Sequence, residues 1–330
     1  MKKFIWKGLN LIRERDRSFS QISPNSHLWR QRILDEIKSN WILYLFVFPA
    51  FLTVLFFSYG PMVFLITSFF DYNPIRGLMG SRFIGFANFA RAINDKYFWQ
   101  AFGNTVFIKT SETLITFPLS IILSLFLFEA SRGYKKIVQT ATILPYFISW
   151  IVVSAMFKNL LAPSGGLVNE ILVSVFKIKP IAFLTTSSTF RWVIILQDAW
   201  KYGGYFAVIY HSAMIAIDTT LFEVATLDGA GRWRQMVSVT LPSIKPTLVT
   251  MFVLLTGYIV IGPFEQVFAQ YHPIVYDTGD IVETYSYRLG LSQYKYGFAV
   301  AIGFIQSIIA TTVVLIANFV LLKKTNERVF

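Results

Sequence analysis

Six stretches of the 330-residue chain are continuously apolar over a length that suits a bilayer crossing. They are Trp41–Ile66, Thr105–Phe128, Val138–Phe157, Trp192–Ile217, Thr247–Phe264 and Gly297–Leu322. A helix needs about 20 apolar residues to cross the hydrocarbon core. The runs are unbroken rather than alternating, and too long for barrel strands. The pattern therefore predicts an all-α membrane protein with six transmembrane helices. The fifth run is short and is expected to continue towards Ala269. Within Leu28–Asn40, Trp29, Ile33 and Ile37 recur at i+4 with Leu34 alongside. That spacing predicts an interfacial amphipathic helix at the end of a polar tail, residues 1–40, ahead of a transmembrane domain, residues 41–330. The tail carries neither an apolar signal core nor a cleavage site, so the first span is the expected insertion signal.

Composition supports this division. Hydrophobic side chains make up 55% of the chain and charged ones only 15%, against about 25% charged in soluble domains. The net charge is +12, which in a soluble protein would point to nucleic acid. Its distribution says otherwise. The segments before span 1, between spans 2 and 3, between 4 and 5, and after 6 hold 18 Lys/Arg, against 10 in the three segments on the other side. The positive-inside rule then places both termini in the cytoplasm and removes the basis for a nucleic-acid partner. There is no cysteine, so no disulfide or thiolate chemistry is available. The three histidines are scattered, and no P-loop, H-E-x-x-H or G-x-S-x-G motif occurs. Gly229 and Gly231 lack a third glycine at the dinucleotide spacing. No enzyme active site, metal or cofactor is expected on this chain.

The most informative segment lies between spans 4 and 5, Thr220–Pro242. It predicts a short helix opened by a Thr220/Glu223 capping box. A turn follows at Asp228-Gly229-Ala230-Gly231, with two glycines able to take positive φ. A second short helix over Arg232–Val239 gathers Trp233, Met236 and Val237, and Leu241-Pro242 is expected to end it. A helical hairpin projecting from membrane helices is a docking element. In its residues it resembles the E-A-A loop of binding-protein-dependent ABC importer permeases. Glu223, Ala225, Asp228, Gly229, Ala230, Leu241 and Pro242 stand at the family spacing, while Val224 replaces the first alanine. Tyr44–Gly80, Phe83–Thr105 and Asp280–Gly303 resemble the carbohydrate-importer branch, and within it the polysaccharide group. The resemblance covers nearly the whole chain after residue 40.

That resemblance implies the type I permease fold of the maltose importers in a bacterial cytoplasmic membrane. The implied partners are a second homologous permease, two ATPase subunits that carry ATP and Mg, and an extracytoplasmic solute-binding protein that delivers an oligosaccharide. The hairpin is the implied ATPase-coupling element, with Gly231 completing its turn. The outer loops are too short for the large extra outer domain of the maltose-importer subunit.

Charges inside a span are costly and usually face a cavity or a partner. Lys109 and Glu112 in span 2, and Asp198 and Lys201 in span 4, stand at i,i+3, where mutual neutralisation is the simplest reading. Span 4 adds more: Asp198, Lys201, Tyr202 and Tyr205 share one helical face. That face suits sugar binding, although a packed interface with a partner permease fits it as well. Counting back from Glu223 aligns these four residues with sugar-contacting positions of the maltose-importer permeases, where only Tyr205 is identical. Lys201 would suit a uronic acid, as in alginate or pectin fragments. Thr256, Tyr258 and Gln306 are weaker pathway candidates, Gln306 being equally suited to gluing helices together. An ion-coupled secondary transporter, with Lys109, Glu112 and Asp198 as relays, and a non-transporting membrane scaffold are the rival readings. The former usually carries inverted repeats, and none is evident.

Overall fold

The structure, a computed structural model, describes residues 38–325. The amphipathic helix expected over Leu28–Asn40 lies outside the described residues except for its last three. Two compact units divide the chain, Met1–Val63 and Phe64–Phe330. In the first, α1 (Trp41–Val54) has no buried residue, and large apolar side chains cover it all round. A helix of that kind suits lipid. A π turn at Leu55–Tyr59 and a 3₁₀ segment at Gly60–Phe69 follow α1. The tighter coil begins beside Pro61, whose ring removes a donor.

In the second unit, a two-stranded ribbon pairs β1 (Phe70–Asp71) with β2 (Arg82–Phe83). The helices α2 (Ala87–Ile93) and α3 (Lys96–Glu129) follow. Asp95 caps α3 by accepting from the Tyr97 N–H at 2.9 Å. The inward stripe of α3 runs Ala101, Thr105, Ile108, Glu112, Thr116, Ser120, Ser124, a helical spacing of small and hydroxyl residues that lets backbones approach within a membrane. Two of its hydroxyls are satisfied locally: Thr105 and Ser120 donate to the carbonyls four residues back. Against this stripe packs α7 (Ser187–Ile215).

Span 3 departs from the expected single helix. Its first half, α4 (Arg132–Ile143), passes through a 3₁₀ turn at Leu144–Phe147, and α5 (Trp150–Leu160) leaves at 103°. The Ser149 hydroxyl accepts from the Val152 N–H at 3.4 Å and opens the second half. Pro145 supplies the break and Ser149 the restart. The fifth span is also corrected. Helix α10 (Lys245–Gly257) ends well short of Phe264, and the separate short helix α11 (Phe264–Phe268) follows a turn. Gly257 and Gly262-Pro263 explain the interruption. Among the described residues, three helices are long and apolar enough to cross a membrane, and up to six if each bent pair counts as one span.

Between α5 and α7 lies α6 (Leu167–Ser174). The hairpin is built from α8 (Thr219–Leu227) and α9 (Arg232–Ser243). After α11, the short helix α12 (Val282–Tyr287) precedes the closing helix α13 (Tyr296–Thr325). Phe98, Val282, Tyr285, Leu289, Phe298 and Ile302 form a core where the start of α3, α12 and the start of α13 meet. Polar staples hold the same end. Asn104 donates to the Asp280 carbonyl at 2.9 Å and accepts from Arg191. Arg288 pairs with Asp280. Burial alone would lower the Arg288 pKa, yet the Asp280 carboxylate holds it above the usual arginine range.

Candidate functional site

A cavity of about 470 Å³ opens between α3, α5, α7 and α10. Helix α7 presents Asp198, Tyr202, Tyr205 and Phe206 to it, and α3 presents Lys109, Glu112, Thr113 and Thr116. Trp150 at the start of α5 and Tyr258 just beyond α10 complete the polar and aromatic lining. Of the face predicted on span 4, the structure brings Asp198, Tyr202 and Tyr205 to the cavity.

Lys201 is the exception. Its ammonium donates to the backbone carbonyls of Pro145, Tyr146 and Ile148. These carbonyls lie where span 3 breaks; that of Pro145 also accepts from the Ile148 N–H at 3.2 Å, and the lysine caps the set. It lies 5.2 Å from the Trp150 ring and 5.9 Å from that of Tyr202, off the cavity lining. Nor does it neutralise Asp198, since the two form no ion pair. Asp198 instead accepts from the Thr116 hydroxyl across the helix pair at 2.9 Å. The i,i+3 expectation fails because a long lysine stem reaches the stronger acceptor set at the kink.

In span 2, by contrast, the expected pair forms: Lys109 Nζ donates to Glu112 Oε2 at 2.7 Å. Its position was not anticipated. Lys109, Glu112, Thr113 and Thr116 stand at i, i+3, i+4 and i+7, the spacing that marked span 4, and the signal was present in the sequence. Tyr146 was also missed. It stacks on Tyr205 with ring centroids 4.1 Å apart and 11° between planes, and meets Tyr202 edge-on at 5.8 Å. With Trp150 and Phe206 this makes an aromatic wall at the span 3 break. Such faces stack on sugar rings, while phenol and carboxylate groups match hydroxyls.

Of the weaker candidates, only Tyr258 lines the cavity. The Thr256 hydroxyl donates back to the Phe252 carbonyl at 2.6 Å and lies off the lining. Buried Gln306 donates to the Val260 carbonyl at 2.6 Å and to Glu283 at 2.7 Å, the helix-gluing alternative.

The hairpin follows a different logic. Asp218, not Thr220, caps α8, accepting from the Thr220 N–H at 2.9 Å, so the capping box is replaced by a cap two residues earlier. At the other end the Gly229 N–H bonds the Thr226 carbonyl at 3.0 Å and the Ala230 N–H bonds that of Ala225 at 2.9 Å. With Gly229 at φ +74°, this is a Schellman motif, in which the left-handed position falls to glycine. Gly231 has φ −68°, so only one of the two glycines needs its freedom. The motif residues Ala225, Asp228, Gly229 and Ala230 are thus the parts of one helix stop. Gln235 ties the hairpin by donating to Thr226 Oγ1 at 2.9 Å and the Ala230 carbonyl at 3.0 Å. The second helix passes through Leu241-Pro242 and ends at Ser243, and a π turn at Met236–Thr240 absorbs the proline. Glu223 and Asp228 are exposed, as are Leu221, Val224, Leu227, Trp233 and Val237.

Residues 25–326 match the family model described as the binding-protein-dependent transport system inner membrane component. The chain belongs to that family. Among related permeases, it is 34% identical to the polygalacturonan/rhamnogalacturonan transport system permease protein YteP of Bacillus subtilis, over 91% of this chain and 94% of the relative. It also matches a crystal structure of a bacterial ABC transporter involved in the import of the acidic polysaccharide alginate. The TM-score is 0.82 at 35% identity, covering 89% of this chain and 99% of the matched one. A second structure of a bacterial alginate ABC transporter, in complex with alginate pentasaccharide-bound periplasmic protein, matches at 34% identity with a TM-score of 0.82, over 90% and 99% of the two chains. The type I permease fold expected from the sequence is therefore the fold found.

Proposed function

We propose that this permease is one of two membrane subunits of an ATP-driven importer that carries an acidic oligosaccharide inward from an extracytoplasmic binding protein. The observation that carries this reading is the near full-length fold match to an alginate-importer permease. The pectin-related permease relative supports the same substrate class. Lys201 no longer bears on that choice, because it is spent on backbone carbonyls.

In this reading the α8–α9 hairpin seats on an ATPase subunit, which holds ATP and Mg. Closure of the ATPase dimer draws the hairpin inward and opens the cavity outward. Sugar enters from the binding protein, and the cycle resets after hydrolysis. The exposed apolar side chains of the hairpin support a docking role. Asp228 and the Schellman turn set its shape, and exposed Glu223 belongs to the surface offered to the ATPase. A second permease completes the pathway. The excess of Lys/Arg on alternate segments supports cytoplasmic termini, with residues 1–40 as a cytoplasmic tail and the remainder as a six-span domain.

Co-expression with a partner permease, ATPase and binding protein tests the function. Oligogalacturonide or oligoalginate uptake that requires all components is the expected result. Uptake without an ATPase would overturn it in favour of ion coupling. Orientation is tested separately, using the absence of native cysteine. In spheroplasts an impermeant maleimide should label Ser81→Cys and spare Ser238→Cys, and the reverse pattern would invert the topology.

A further inference from the structure

Lys109 is the only cation among the described residues that line the cavity. Its ammonium makes one hydrogen bond, to Glu112 Oε2. An ammonium has three donors, so two remain available. The lysine side chain keeps 19% of its surface exposed, against 2% for its carboxylate partner. Glu112 Oε1 is fully buried without a hydrogen-bond partner. Asp198, from the facing helix, is buried and engaged by Thr116. An anion entering the cavity therefore meets the ammonium first, although two acids stand behind one base. Pairing with Glu112 also limits the penalty of holding a lysine inside a span while the cavity is empty.

We infer that Lys109 is the group that recognises a substrate carboxylate in the cavity, with Glu112 as its positioning residue. The rings of Trp150, Tyr202 and Tyr205 are the stacking surface for the adjoining pyranose. The inference rests on the importer reading above and deepens it, because it assigns uronate recognition to one atom of this subunit. Lys201, the basic residue that the sequence pattern favoured, has no part in it.

The test uses the assembled complex of both permeases and the ATPases in nanodiscs. Equilibrium dialysis measures binding of a galacturonan trisaccharide and of its carboxyl-reduced counterpart, at low and high salt. Wild type should favour the acidic ligand, and salt should weaken that binding. Lys109→Gln should lower affinity for the acidic ligand about tenfold or more, the size of a charge-assisted hydrogen bond. It should weaken the neutral ligand far less and abolish the salt dependence. Lys109→Arg should retain the preference, and Glu112→Gln should retain or strengthen it. The double variant Lys109→Gln/Glu112→Gln keeps a neutral hydrogen-bonded pair and should behave like Lys109→Gln. Equal losses for both ligands, or no loss for either, would overturn the assignment. A wild-type complex that binds neither trisaccharide would overturn the importer reading itself.

Discussion

The cavity and the hairpin are built from the same kinds of residue and solve opposite problems. On and behind the cavity wall, most polar groups find partners inside the chain, Glu112 Oε1 excepted. Asp198 has Thr116, Lys201 has three carbonyls, and Gln197 and Gln270 exchange hydrogen bonds. Gly204 lets α7 approach α4 so closely that a Cβ there would overlap the Thr142 carbonyl. The hairpin has a complete turn but exposes its large apolar side chains, with Leu227 at 88% and Trp233 at 74%. Buried polar groups must be satisfied within the fold, whereas exposed apolar surface marks an interface still to be made. The cavity wall is complete except at the Lys109–Glu112 pair, and the hairpin, in the proposed reading, is one half of a joint. Substitutions in the first should weaken the isolated subunit. In the second they should leave it intact and disable only the assembly.

The sharpest way to break this contrast is Gly204→Val. Overpacking at the α4–α7 crossing should remove about 3 kcal/mol, read as a lower Tm of the detergent-purified subunit. An unchanged Tm would mean that the cavity wall is not close-packed there. Lys201→Met comes next. It leaves Pro145 its bond from the Ile148 N–H but strips the Tyr146 and Ile148 carbonyls of their lysine donor, and should destabilise by about 2 kcal/mol, while the preference for acidic over neutral ligand stays as in wild type. A changed preference would return Lys201 to the pathway. On the hairpin side, Gly229→Asp meets nothing within 4 Å in the isolated chain and accepts a left-handed φ at a modest penalty. Tm should move little, yet sugar-stimulated ATP hydrolysis by the full complex should fall at least tenfold. Normal stimulation would refute the joint.

The smallest effect concerns the cap of α8. Hydrogen bonds from Thr220 lower the Asp218 pKa below its ordinary 3.8, so the charged carboxylate favours the helix. That contribution is present above pH 3.8 and is lost as the pH falls through the lower folded value. Amide exchange in the first turn of α8 should quicken in Asp218→Ala at neutral pH. It should converge with wild type once both are well below that value. The helices of the cavity should not respond.

The apolar helices were legible because bilayer thickness imposes a run length that no packing can disguise. Their interruptions were not. Pro118 sits inside unbroken α3, while Pro145 ends a helix. What differs is the setting: a capping serine four residues on, and a lysine from another helix to hold the freed carbonyls. The second of these is tertiary and has no local signature. The cavity-facing stripe of α7 followed from 3.6-residue arithmetic, apart from Lys201, whose flexible stem allows the charge to leave the face its Cα occupies. On α3 the same arithmetic was available, but the adjacent opposite charges suggested a closed account of that pair. The hairpin turn was readable in outline from its glycines. Its division of labour needed the backbone angles, since Gly229 and Gly231 are equivalent by composition alone.

The π turn at Met236–Thr240 has a consequence for register. One extra residue in a helix rotates everything beyond it by about 100°. The side of α9 that carries Trp233 is therefore not the side that continues into α10, and a lever joining the two is indexed by a single residue. Side-chain changes in this stretch leave that indexing alone. Deleting one residue between Met236 and Thr240 would restore an ordinary α-helix and swing Trp233 more than a quarter-turn around the axis. A folded subunit would result whose docking surface faces the wrong way, recognisable by a native Tm and no retained ATPase on affinity purification.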